Sequence, residues 1–347
     1  MDGILNINKA IGMTSHDVVA KIRKLLKQKR VGHAGTLDPA ASGVLPICVG
    51  QGTRVAEYLS ESGKAYQAEI VLGIVTDTYD SQGTVVRTAS LTDWCDDPNE
   101  ITESPVGASA KLAEQRRSLG DCVSIPCPPP QRSEAERVSI LRPDRAHIEE
   151  ALQQFIGPQM QMPPRYSAIK IQGRPAYKLA RAGEEIPLQP RPITISQLEI
   201  LQWRPPRLTL AIECSKGTYI RSLAYDLGER LGCGAHLGAL LRTRSGPFTL
   251  SESITLEELE LAIEAGTVQE HLHPADLALH QYPALMLDDA TVERVVHGNA
   301  FKYDDPYGHT PSDLARVYDA VGRFLAIAQW DVERGLWQPK KVMLPYC

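Results

Sequence analysis

Residues 31–46, VGHAGTLDPAASGVLP, constrain this chain more than any other stretch. Gly32, Gly35 and Gly43 supply backbone turns that a residue with a side chain resists. Pro39 has a fixed φ and biases Asp38 away from helical geometry, so one carboxylate is expected on a sharp, defined loop. Apolar residues then run straight into an expected buried strand over 44–49. An acid on a rigid Gly/Pro loop against an apolar wall suits a nucleophile or a general base. The same Asp can instead cap and shape its own turn. Local chemistry leaves both readings open.

The rest of the chain bounds what such a loop can serve. Its 347 residues are enough for two domains. A hydrophobic share of 43% and a mean hydropathy of −0.22 describe an ordinary globular chain. No apolar run approaches the roughly 18–20 residues of a membrane-spanning helix. The opening MDGILNINKAIG has no cationic region before an apolar core, so no secretory signal is expected and a cytoplasmic location is. Seven cysteines, at 48, 95, 122, 127, 214, 233 and 347, form no C-x-x-C pair and read as reduced thiols without a zinc site. His271 and His273 lack a suitably spaced third ligand, so no metal is expected.

The net charge of −5 runs against nucleic-acid binding, but its distribution does not. Residues 91–142 hold nine acids and six bases, which accounts for −3 of the total. By contrast, 21–30 (KIRKLLKQKR) carries six bases and 165–181 carries five, neither with an acid. Those two segments are the ones suited to a phosphate backbone.

Periodicity places the remaining elements. A helix capped by Thr14 or Ser15 is expected to run to about residue 28, burying Val18, Ile22 and Leu25 and turning Lys21 and Lys24 outward. A short helix over 53–59, a strand over 64–73, the turn TDTYDSQG and a short strand at Val85 and Val86 follow. About 89–142 show little apolar periodicity and a proline cluster, and read as an irregular insertion. Next come a helix opened by Pro143 and Asp144 and ended by Gly157, and a basic helical piece over 175–182 stopped by Gly183. Strands over 193–203 and 207–214 lead into a helical stripe of Ile220, Leu223, Leu227 and Leu231, which leaves Tyr219 and Arg221 where a strand hands over to a helix. A helix over 255–265, a linker, another helix after Met286 and strand-like runs over 315–331 and 337–344 complete the chain.

The loop GHAGTLDPAASGVLP resembles the catalytic segment of the TruB family of tRNA pseudouridine synthases, meeting every fixed position of G-H-x-G-x-L-D-P-x-A-x-G-x-L-P. CSKGTYIRSLAYDLGERLGCGAHLGALLRTRSG is a second long match, and the resemblance covers nearly all of 3–88 and 143–262. It implies an α+β pseudouridine synthase fold, with a mixed, mainly antiparallel central sheet flanked by helices and loops. The catalytic domain would span 1–88 and 143–280, with a thumb-like segment at about 163–192, the insertion at 89–142, and a small PUA-like RNA-binding β domain at 283–347.

The resemblance also implies a function. Uridine 55 in the TΨC arm of tRNA would be flipped out and isomerised to pseudouridine, by a monomer needing no protein partner. Asp38, Tyr66 and Arg221 would be catalytic, with the Arg221 guanidinium beside Asp38 and Tyr66 stacked on the base. His33, Tyr219 and Leu240 would hold the nucleotide and its neighbours. Contacts to the RNA backbone are expected from Lys21, Lys24, Arg30, Lys64, Arg165, Lys170, Arg174 and Lys178. The reaction breaks N1–C1′ and makes C5–C1′ without oxidation or a carried group, so no cofactor is expected. Two other readings are a tRNA-folding chaperone without chemistry and a guide-RNA-dependent relative. Asp38, Tyr66 and Arg221 together argue against the first; the thumb and the lack of a long basic tail argue against the second.

Overall fold

The computed structural model describes residues 1–89, 143–303 except 168, 172, 185 and 186, and 314–343. The expected insertion therefore lies outside the described residues, apart from Ala89.

The N-terminal part contributes β1 (Gly3–Lys9), α1 (Ser15–Leu25), β2 (Val31–His33), β3 (Ala41–Val49), α2 (Ala56–Glu61) and β4 (Lys64–Leu72). A hairpin of β5 (Ile74–Thr76) and β6 (Val85–Thr88) follows. After the insertion come α3 (Arg145–Gln153), β7 (Gly157–Gln161), the short pair β8 (Lys170–Ile171) and β9 (Arg174–Pro175), and α4 (Ala176–Arg181). Then β10 (Arg191–Arg204), β11 (Arg207–Cys214), α5 (Ile220–Arg230), β12 (Ala235–Ser245), β13 (Phe248–Thr249), α6 (Leu256–Ala265) and β14 (Leu272–His273) complete the larger body.

Ten strands form one mixed sheet in the order β14-β1-β3-β12-β4-β11-β10-β7, with β2 on β3 and β13 on β12. The β3–β12 contact is parallel and every other pairing is antiparallel. This is the mixed, mainly antiparallel α+β sheet expected. In β11, Leu208, Leu210, Ile212 and Cys214 alternate into the core, whereas β3 is apolar on both faces because it is covered on both. The helices bury their apolar stripes on the sheet: Val18, Val19 and Ile22 of α1, and Ile220, Leu223, Ala224 and Leu227 of α5, join one core.

The helix ends obey local rules. Thr14 and Asp17 form a capping box at the start of α1, and Thr255 and Glu258 form another at α6. Helix α1 stops at Leu25, short of the expected 28, because Lys27 turns to φ 50°. Helix α3 ends at Gln153, and Gly157 opens β7 instead of terminating the helix.

A second sheet, β15 (Ala284–Met286), β16 (Leu314–Tyr318), β17 (Phe324–Asp331) and β18 (Leu336–Val342), has α7 (Asp289–Val296) and its own core around Leu285, Val295, Phe301 and Trp337. Ile327 and Met343 from this unit pack with Val44, Cys48, Val55 and Leu59. Lys341 Nζ reaches the Arg54 carbonyl at 2.7 Å and Glu57 at 2.8 Å, tying β18 to the start of α2. No helix among the described residues is long and apolar enough to cross a membrane.

Candidate active site

Asp38 sits between β2 and β3 on a loop whose backbone is pinned from two sides. Ser15, at the start of α1 and 1% exposed, accepts from Leu37 N–H at 2.9 Å and donates to Leu37 C=O at 3.2 Å. Gly12 N–H donates to the Pro39 carbonyl at 2.8 Å, and Ala41 N–H to that of Asp38 at 3.0 Å. Leu37 is buried by this arrangement, while the Asp38 side chain keeps 44% of its surface. The carboxylate is thus presented outward from a fixed turn.

Arg221 meets it from the first turn of α5, with its side chain only 7% exposed. Its Nε lies 2.9 Å from Asp38 Oδ2. Nη2 donates to the Tyr166 carbonyl at 2.9 Å; Nη1 lies 3.4 Å from the Thr78 carbonyl and 3.5 Å from Asp80 Oδ2. The guanidinium therefore bridges two carboxylates and two loop carbonyls, which orients it and satisfies its donors. Asp80, in the turn TDTYDSQG, is itself held by Thr78 Oγ1 at 2.6 Å and Gln82 N–H at 3.0 Å.

Tyr66 on β4 is buried, and burial pushes its phenol up; the positive charge of Arg242, its cross-strand neighbour, opposes that shift. Arg242 on β12 is 1% exposed and donates to the carbonyls of Val44, Thr36 and Gly35 at 2.7, 3.4 and 3.2 Å. Lys9, fully buried at the end of β1, donates to the Ala10 and Met13 carbonyls, each at 2.9 Å. Desolvation lowers its pKa to about 8, against the pull of the Asp38 charge. Tyr219 caps α5, and Gln161 clasps its backbone N–H at 2.8 Å and C=O at 3.0 Å. Burial raises its phenol. Leu240 is half-buried on β12, opposite Ala41 and Ala68. His33 stands edge-on to His16 with ring centroids 5.3 Å apart; burial lowers its pKa, and its buried Nδ1 has no hydrogen-bond partner.

The expected phosphate contacts divide by burial. Lys24, Arg165 and Lys178 are exposed. Lys21 pairs with Glu260 at 2.9 Å, Arg174 forks onto Glu184 at 2.9 and 3.2 Å, and Arg30 holds Thr53 Oγ1 at 3.0 Å. The Lys170 side chain lies outside the described residues. Lys64 differs from the others. It is 6% exposed, its Nζ donates to the carbonyls of Ser60 and Ser62, and burial lowers its pKa to about 8. It caps the carbonyl end of α2. Sequence reasoning also missed Lys9, Asp80 and Arg242. Asp80 was visible as an acid in a turn; the other two had been given no role and no element.

The chain matches two family models: "TruB family pseudouridylate synthase (N terminal domain)" over residues 23–109 and 131–220, and "tRNA pseudouridylate synthase B C-terminal domain" over 221–280. It is 41% identical over 344 residues to the tRNA pseudouridine synthase B of Dehalococcoides mccartyi strain BAV1, covering 99% of this chain and 97% of that one. With the tRNA pseudouridine synthase B of Bacillus subtilis strain 168 it shares 37% over 351 residues, covering 99% and 98%. A chain from the crystal structure of a Cbf5-Nop10-Gar1 complex superposes with a TM-score of 0.66 at 24% identity, over 99% of this chain and 85% of that chain. A chain from an H/ACA RNP bound to a substrate RNA containing 2′-deoxyuridine gives 0.65 at 23%, over the same shares. At those identities the likeness is one of fold.

Proposed function

The chain belongs to the TruB family of pseudouridylate synthases, and on that premise we propose that it converts uridine 55 in the TΨC arm of tRNA to pseudouridine, with Asp38 as the reacting carboxylate. The observation that carries this reading is the buried Arg221 guanidinium, 2.9 Å from a carboxylate that is itself 44% open. A carboxylate so held commits Oδ2 to its partner while the group still faces outward, where it can attack C1′ or C6 or stabilise positive charge developing on the sugar.

The target base has to leave its stack, at a cost on the order of a few kcal/mol. Tyr66, Tyr219 and Leu240 would receive it by stacking and apolar contact. His33, with an unused ring nitrogen beside His16, would hold the neighbouring nucleotides or fill the vacated space. Burial pushes the Tyr66 phenol above its ordinary range, which favours stacking over proton abstraction in the resting site. Lys24, Arg165 and Lys178 offer free cations to the backbone, joined by Lys21, Arg30 and Arg174 once RNA competes with their present partners. Relatives named tRNA pseudouridine synthase B, aligned over nearly their whole lengths, support a stand-alone tRNA enzyme over a guide-dependent one.

The test is Asp38→Asn, with tRNA binding and pseudouridine formation at position 55 measured separately. Product formation should fall by at least about a thousandfold while Kd changes less than about threefold, as for removal of a reacting group. Equal loss of both would favour a binder without chemistry; product at another uridine would overturn the position.

A further inference from the structure

We propose that Arg242 is a positioning residue for this reaction, whose guanidinium holds the Asp38 loop in a fixed relation to Tyr66, its neighbour across the β4–β12 contact; the inference deepens the function proposed above and presupposes it. Arg242 lies where the two halves of the sheet meet. Its residue pairs with Gly43 across the parallel β3–β12 contact and with Tyr66 across the antiparallel β4–β12 contact. Gly43 has φ 102°, and any Cβ there would collide with the Arg242 carbonyl, so the close approach depends on glycine.

The charge itself needs a reason. An arginine 1% exposed is costly to bury, and the donors of Arg242 go to three neutral carbonyls. A hydrophobic side chain of similar size would fill the space at less cost, but it could not bind those three oxygens. Two of them, Gly35 O and Thr36 O, belong to the loop that carries Asp38. With Ser15 on Leu37, Ala41 N–H on Asp38 and Gly12 N–H on Pro39, every carbonyl from Gly35 to Pro39 has a protein donor. Arg242 is the member of that set that also lies opposite Tyr66 in the sheet. It has no contact with Asp38 itself, so its action on the carboxylate runs through the backbone. The charged or titratable groups that act on Tyr66 are Arg242 on β12, Cys214 on β11 and Asp38 on the loop. Arg242 is the cation among them. A shift of the loop against the phenol by a fraction of an ångström would leave both present and misaligned for an everted base.

The experiment uses the full chain with Arg242→Lys and Arg242→Gln, scored by thermal melting, tRNA Kd and single-turnover rate at saturating tRNA. Both variants should fold and bind tRNA within about threefold of wild type, with rates down at least about tenfold, Lys retaining more than Gln because it keeps the charge. A smaller loss, or one matched by an equal rise in Kd, would overturn the proposal. Failure of both variants to fold would overturn it too, assigning Arg242 to architecture. Should wild type form no pseudouridine at position 55, the function proposed above fails; should wild type be active and both variants equally fast, this inference alone fails.

Discussion

Two lysines of the same chemistry meet opposite fates near the site. Lys24 projects from α1 into solvent, while Lys64 turns under α2 and spends its donors on Ser60 and Ser62. Lys24→Ala should reduce the slope of log K against log salt for tRNA binding by about one, the loss of one phosphate contact, and Lys64→Met should leave that slope unchanged. Lys64→Met should instead alter stability and its pH dependence. The folded-state pKa of Lys64 falls from 10.5 to about 8, so between those values the unfolded chain binds more protons than the folded one. Stability from this group therefore rises as pH climbs from about 8 to about 10.5, and it carries the full burial penalty below 8. Urea midpoints at pH 7.5 and 9.5 should show that rise in wild type, and less of it in Lys64→Met. Asp38 was legible in the sequence because glycine and proline impose its loop locally. The burial of Lys64 was not, since it depends on where another element ends.

Among elements, the parallel contact between β3 and β12 bears most directly on the site. Gly43→Ala would combine a strained φ with a clash against the Arg242 carbonyl, in a strand buried on both faces. A loss above about 3 kcal/mol is expected, read from chemical denaturation or as failure to accumulate soluble protein. The same contact shows why sequence reading stopped where it did. Strand β11 was placed to the residue, because one of its faces alternates cleanly into the core. Strand β12 was not recognised at all. It lies between two other strands and carries His236, Arg242 and Ser245 as buried polar residues, which erase the period of two. The residues that hide the strand from a periodicity argument include the one that joins its neighbours.

At the scale of the molecule, the C-terminal sheet is packed onto the larger body, not merely tethered to it. Ile327 and Met343 cover Val44, Cys48, Val55 and Leu59, and Lys341 clasps the start of α2. A chain ending at residue 282 should therefore melt at lower temperature and aggregate more readily than the full chain, which differential scanning and light scattering would show. The main sheet also joins distant stretches of sequence: the bond from Arg242 to the Val44 carbonyl spans 198 positions. Asp38 and Tyr66 precede the insertion, whereas Tyr219, Arg221 and Leu240 follow it. On the function proposed above, a polypeptide still emerging from the ribosome would be chemically mute until its last central strand is made, so a half-finished copy could not modify the tRNAs that are translating it.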